Sequence, residues 1–270
     1  MVPSNQNAIS FAVVTGASSG IGLELARVAA EGGSDLLVVA DGPDIEAVAT
    51  ELARTSGVHV ESLMADLATR DGVDALHGRL RDLARPIDAL FANAGRGLGH
   101  GFLDQDFNEI ERVINTNIIG TVYLLHKVMG DMRSQGWGRV LITGSIAGLM
   151  PGTYQAVYNA TKAFIDSFAY ALREEVKDDG ITVTVLMPGP TDTDFFETAD
   201  LLDTKVGAGK KDDPRMVAKA GYDAMLRGDG HEVSGFANKL QAMMTRVLGD
   251  KQLAKMHEGM AKPGSAPSQH

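Results

Sequence analysis

Short apolar runs rich in β-branched residues recur along this chain, and nearly every one is followed by a stretch with helical spacing. Phe11–Thr15, Leu36–Ala40, Val58–Met64, Ile87–Phe91, Val140–Thr143 and Ile181–Met187 read as strands that stop at small or turn-forming residues. Strand then helix, repeated, admits few folds, chiefly a parallel sheet with helices on both faces and right-handed crossovers. The expectation is an α/β, doubly wound parallel sheet of about seven strands in a single domain, the last strand near His231–Ser234. Residues 1–8 read as a loose leader, 9–258 as the domain, and the Pro-, Gly- and Ser-containing end, 259–270, as a disordered tail.

The first strand runs into Gly16-Ala17-Ser18-Ser19-Gly20-Ile21-Gly22, and a helical pattern follows from Leu23 to Ala30. Strand, glycine turn and helix in that order form a pyrophosphate cradle. Glycines let the backbone close in, and the helix N-terminus offers free N–H groups at the positive end of its dipole. The spacing is Gly-x-x-x-Gly-x-Gly rather than Gly-x-Gly-x-x-Gly, and no Gly-Lys-Ser/Thr closes the turn as a P-loop would. The loop also fits the Gly-x-Ser-x-Gly of a nucleophile elbow centred on Ser18. An elbow on the first strand would lack the earlier strands that build its oxyanion hole.

Asp41 ends the second strand, about 20 residues past the turn, where an acid accepts from ribose hydroxyls and repels a 2′-phosphate. No Lys or Arg lies between Asp41 and Glu51, which favours NAD(H) and leaves NADP(H) open. Asp66, after the third strand, stands where a carboxylate can accept from an adenine amino group, or can cap the next helix. Asn93-Ala94-Gly95 follow the fourth strand, and such small residues suit close contact with a flat cofactor. Asn115 and Asn117 fall inside a long helical pattern, Asp106–Arg133, where Asn is disfavoured and needs a hydrogen-bonded partner.

The densest chemistry lies between Arg139 and Phe164. Ser145 follows the fifth strand, at the sheet edge where open α/β folds bind ligands. Tyr158 and Lys162 are i and i+4 on a helical stretch from Tyr154 to Val176, so they share a face. A free phenol titrates near ~10, and a neighbouring ammonium would favour the phenolate and bring it toward the working range. Ser145 could donate to the same substrate oxygen.

Taken together, Thr15-Gly16-x-x-x-Gly20-x-Gly22, Asp66-Leu67, Asn93-Ala94-Gly95, Asn117-x-x-Gly120, Ser145, Tyr158-x-x-x-Lys162 and Pro188-Gly189 followed by Thr193 resemble the short-chain dehydrogenase/reductase family. The likeness covers roughly Phe11 to Thr193 and implies the compact, Rossmann-like, single-domain form. It further implies Tyr158 as general acid/base and Ser145 as orienter of the substrate oxygen. Lys162 would bind the nicotinamide ribose, and Asn117 would hold a proton-relaying water. The glycine turn with Ser18, Ser19 and Ile21, then Asp41, Asp66, Leu67, Asn93, Ala94 and Gly95, would hold the dinucleotide. Pro188, Gly189, Thr191 and Thr193 would flank its nicotinamide end, Thr191 standing where the family has Val or Ile. The reaction implied is hydride transfer between a nicotinamide cofactor and a secondary alcohol or ketone. Relatives associate as dimers or tetramers through the helices carrying Asn117 and Tyr158.

Composition narrows the partners. A formal charge of −10 argues against nonspecific nucleic-acid binding. Zero cysteines exclude disulfides and thiolate metal sites, and no metal is expected. No apolar run reaches the ~18–20 residues of a membrane span, so a cytoplasmic enzyme without membrane partners is expected. Residues 194–213 mix exposed apolar side chains with glycines and charges and read as a substrate lid. Leu98, His100, Phe102, Met150, Tyr154, Phe195, Phe196 and Leu202 are the expected pocket lining. Two other functions fit parts of the pattern. A sugar-nucleotide epimerase or dehydratase of the same fold usually carries a larger C-terminal substrate domain than this chain offers. A dinucleotide-sensing module would have no need of the Ser145–Tyr158–Lys162–Asn117 set.

Overall fold

The computed structural model describes residues 9–245 and 247–267; the expected leader, 1–8, lies outside them. Seven strands form one parallel sheet in the order β3-β2-β1-β4-β5-β6-β7. They are β1 (Phe11–Thr15), β2 (Asp35–Ala40), β3 (Val60–Met64), β4 (Ala89–Ala92), β5 (Gly138–Thr143), β6 (Ile181–Met187) and β7 (His231–Val233). Neighbours in β1 point to opposite faces and are apolar on both. Phe11 and Val13 pack toward α3 (Arg70–Leu83), α5 (Thr121–Gln135) and α6 (Ala156–Glu175). Ala12 and Val14 pack toward α1 (Gly20–Glu31), α2 (Ile45–Ser56) and α9 (Pro214–Arg227). Burial on both faces is why these strands read as continuous apolar runs rather than as alternation.

Strand order reverses between β1 and β4, so their carboxyl ends open a crevice, the usual ligand position in doubly wound sheets. Asn93 ties that edge together. Its Nδ2 donates to the Thr15 and Gly16 carbonyls (3.2 and 3.3 Å), and its Oδ1 accepts from Thr143 Oγ1 (2.9 Å).

The long helical pattern around Asn117 is interrupted. After α4 (Phe107–Ile114) comes a π-helical turn, Asn115–Gly120, and then α5. Such turns insert a residue and re-aim side chains, often at functional sites. Gly120 makes room for it, since a Cβ there would fall on the Leu67 carbonyl.

Two expectations about the C-terminal third need correction. Residues 194–213, expected as a lid, contain α7 (Phe195–Thr198) and α8 (Lys205–Ala208), folded on an apolar cluster of Phe196, Ala199 and Leu201, so helix reaches into the glycine- and charge-rich stretch from Gly207 to Asp213. After α10 (Phe236–Met244), α11 (Asp250–Ala261) carries the chain into the supposed disordered tail. Beyond it, the Gly264 N–H donates to Asp203 Oδ2 (2.6 Å) and the Ala266 N–H to the Asp203 carbonyl (2.8 Å). A buried helix end and backbone bonds hold residues 259–267, so turn-forming composition there marks a turn and not disorder.

Candidate active site

The glycine turn is shaped for close approach. Gly16 and Gly20 adopt positive φ (63° and 56°), which residues with a Cβ rarely accept. A Cβ on Gly16 would lie 2.9 Å from Ala94 Cα, and one on Gly22 would fall on the Gly16 carbonyl oxygen. The backbone thus packs on itself, leaving the N-terminus of α1 facing a cavity of about 280 Å³ that runs along the sheet edge. A dinucleotide pyrophosphate fits such a cradle, because an anion there meets only N–H groups and a dipole end.

The same cavity is lined by Gly16, Ser19, Gly20, Ile21, Asn93 and Gly95 at one end, and by Ser145, Tyr158, Lys162, Pro188, Gly189, Thr191 and Thr193 further along. The remaining predicted residues stand around it. Leu67 is buried with its carbonyl against Gly120, and Ala94 pairs its N–H with Thr15 Oγ1 (3.0 Å). Ser18 is part of the turn but not of the lining. Asp41 and Asp66 sit near each other past the end of β2, bridged by Arg112 Nη2 at 3.5 Å from each. Arg96 Nη1 also reaches Asp41, at 3.4 Å. These cations come from elements distant in sequence, and nothing between Asp41 and Glu51 announces them.

Tyr158, Lys162 and Asp166 form one stripe of α6 at i, i+4 and i+8, all buried. Lys162 Nζ donates to the Thr143 carbonyl (2.8 Å) at the end of β5. The Asn117 side chain is fully committed. Its Nδ2 donates to the Arg96 carbonyl and Thr161 Oγ1 (2.9 Å each), and its Oδ1 accepts from the Arg96 N–H (2.8 Å). Asn117 therefore locks the loop after β4 onto α6, and this is the buried partner its mid-helix position calls for.

Burial pushes the Tyr158 phenol up to about 12; the Ser145 hydroxyl pulls it down and the Asp166 carboxylate adds to the rise. This corrects the expectation that Lys162 brings the phenol toward neutrality. In the protein alone the ammonium is spent on a backbone carbonyl, 6.0 Å from the ring centre, and desolvation wins. Burial likewise lowers Lys162, opposed by Asp166, and raises Asp166, opposed by Lys162 and the Ser145 N–H. Asp166 was not among the predicted residues, although its spacing from Lys162 was legible. Its Oδ1 accepts from the Ser145 N–H (3.4 Å), and it packs where Gly144 and Gly148 lack a Cβ.

Of the expected substrate lining, Met150, Phe195 and Phe196 face the cavity. Leu98, His100, Phe102, Tyr154 and Leu202 do not. Phe102 and Leu202 are more than half exposed, and His100 turns outward to Asp200 (2.7 Å). Gln155, Thr198, Val206, Gln241, His257 and Met260 complete the wall instead. Most belong to α8, α10 and α11, whose return over the sheet edge no local pattern announces. Phe195 lies against Tyr158, ring centres 5.1 Å apart.

A doubly wound sheet with a glycine cradle and a Ser-Tyr-Lys cluster at one crevice defines a dinucleotide-fold enzyme class. The short chain dehydrogenase family model matches residues 10–201, and this chain belongs to that family of oxidoreductases. An uncharacterized oxidoreductase of Staphylococcus saprophyticus is 32% identical over 215 residues, 79% of this chain and 90% of that protein. A short-chain dehydrogenase from Sphingobium yanoikuyae, solved with NADPH, superposes with a TM-score of 0.79 at 31% identity, covering 88% of this chain and 94% of that one. The bulky-bulky ketone specific alcohol dehydrogenase from Comamonas testosteroni gives a TM-score of 0.75 at 26% identity, covering 89% and 94%.

Proposed function

We propose that this chain interconverts a secondary alcohol and a ketone with a nicotinamide dinucleotide, Tyr158 giving the proton to the carbonyl oxygen in reduction and taking it back in oxidation. The observation that carries the reading is that Ser145, Tyr158 and Lys162 share one cavity with the glycine cradle. The bound cofactor supplies or accepts the hydride at the substrate carbon. Gly16, Ser19, Gly20 and Ile21 would take its pyrophosphate, Asp41 and Asp66 its adenosine, Lys162 its nicotinamide ribose, and Pro188 to Thr193 its nicotinamide. Ser145 holds the substrate oxygen against the Tyr158 hydroxyl, and Asp166 positions Ser145 through its backbone N–H. Asn117 keeps the loop after β4 in register with Lys162. The cap of α7 and α8 serves as the lid that shuts water out. Ile114, Ile119 and Phe164, exposed on the Asn117 and Tyr158 helices, support a homo-oligomer built on those faces. The test is NADH and NADPH absorbance followed over a panel of ketones and alcohols; no turnover of any member would end this reading.

On the cofactor, Asp41 favours NAD(H), whereas the Sphingobium relative was solved with NADPH. Arg96 and Arg112 offset the Asp41 charge, so the preference for NADH should be shallow, about tenfold or less, which is ~1.4 kcal/mol. Asp41→Asn releases Arg96, leaves Arg112 paired with Asp66 alone and removes the charge that repels a 2′-phosphate, so it should reverse the order, with NADPH the tighter ligand. Titrating cofactor fluorescence on wild type and variant checks this. An unchanged NADPH affinity in Asp41→Asn would mean that the two arginines do not reach the 2′ position.

A further inference from the structure

His257, on α11, lines the cavity on the wall that carries Gln241 and Met260, and only 4% of its surface is exposed. Its Nδ1 lies 2.8 Å from the Thr153 carbonyl oxygen. A carbonyl only accepts, so Nδ1 carries the proton and the neutral ring's acceptor is Nε2. Burial lowers the His257 pKa, which keeps the ring in that neutral form. The backbone around it is fixed as well, because Thr153 Oγ1 donates to the Ala254 carbonyl (2.8 Å), one turn before His257. Among the described residues Nε2 forms no hydrogen bond, and it is not one of the sealed, partnerless side-chain atoms of the interior. What remains open to it is the cavity. The lining shared with it includes the apolar Met150, Phe196, Val206 and Met260 and the polar Gln155, Thr198 and Gln241.

An acceptor with no protein donor, in a lining whose polar side chains at this end include Gln241 and Gln155, discriminates by what it leaves unpaired. A ligand without a donor strips water from Nε2 and returns nothing. We propose that His257 Nε2 accepts a hydrogen bond from a second hydroxyl on the substrate, remote from the reacting carbon, so that hydroxyketones and diols are the preferred substrate class. This rests on the alcohol/ketone reading above and names the substrate end which that reading left open.

The experiment compares matched pairs: 4-hydroxycyclohexanone against cyclohexanone, and a 3-hydroxy-17-ketosteroid against its 3-deoxy form. In at least one pair, wild type should favour the hydroxylated member by about tenfold in kcat/KM, the size of one buried hydrogen bond. His257→Asn keeps a donor near Thr153 but loses the acceptor at Nε2. It should erase the preference, chiefly by raising KM for the hydroxylated member, and His257→Gln, whose longer amide again reaches that position, should restore it. A merely structural role would lower both members alike. Equal rates within every pair in wild type overturn the assignment without any variant, as does a preference that survives His257→Asn. Failure to turn over any ketone is a different result, which removes the alcohol/ketone reading itself.

Discussion

Replacing Tyr158 with Phe is expected to slow ketone reduction by two to four orders of magnitude, about the worth of a positioned acid, while NADH affinity stays within about twofold. The ring would remain packed against Phe195, and only the hydroxyl beside Ser145 would go. The raised phenol gives this prediction a pH signature. With Tyr158 pushed up to about 12, the proton needed for reduction stays in place throughout the neutral and mildly alkaline range. The phenolate needed for oxidation is scarce there and grows tenfold per pH unit below the pKa. Reduction should therefore be level between about pH 7 and 9, and oxidation should rise across the same window, by up to about tenfold per unit. Parallel kcat/KM profiles in the two directions measure it. Reduction falling as oxidation rises would place the phenol near neutrality, and a Tyr158→Phe enzyme with ordinary turnover would remove the phenol from the mechanism.

What the sequence made legible was what depends on near neighbours in the chain. Strand composition is set by burial on both sheet faces, so the Phe11–Thr15 and Ile181–Met187 runs announced themselves and matched the strands to the residue. The Gly16–Gly22 turn and the Tyr158–Lys162 spacing are equally local, and the structure brings both to one crevice. Illegible features were those where distant segments meet. Arg96 and Arg112 approach Asp41 only because the loop after β4 and α4 both end at the β2 edge. His257 reaches the cavity only because α11 folds back over residues 150–155. The shift of Tyr158 belongs to the same group: the Lys162 spacing was visible, but the carbonyl that engages its ammonium and the depth of burial were not. Asp66 shows the intermediate case. It accepts from the Ala68 N–H (3.0 Å) in the turn before α3, whose cap is Thr69, while Arg112 draws it into the adenosine-side cluster.

The cradle supplies the other large effect, and its sign can be set against a control made by the same chemical change. In Gly22→Ala the new methyl falls on the Gly16 carbonyl oxygen and within 2.5 Å of Asn93 Nδ2, two groups that themselves fix the crevice. Neither is the free end of a flexible side chain, so the turn itself must move. Overpacking of this kind costs about 1–3 kcal/mol. In a chain of this size that lowers Tm by about 2–4 °C per kcal/mol. The displaced N–H groups at the start of α1 should also cost NADH binding at least about tenfold, or ~1.4 kcal/mol. Gly78→Ala adds the same methyl to the middle of α3, where nothing lies within 4 Å, and should stabilise by about 0.5–1 kcal/mol through helix propensity alone. Thermal melts and NADH titrations of the two variants side by side separate a crowded cradle from a general dislike of alanine. If Gly22→Ala melted and bound like wild type, the turn would be loose enough to absorb a side chain, and the close packing on which the cofactor site is built would not be what holds it.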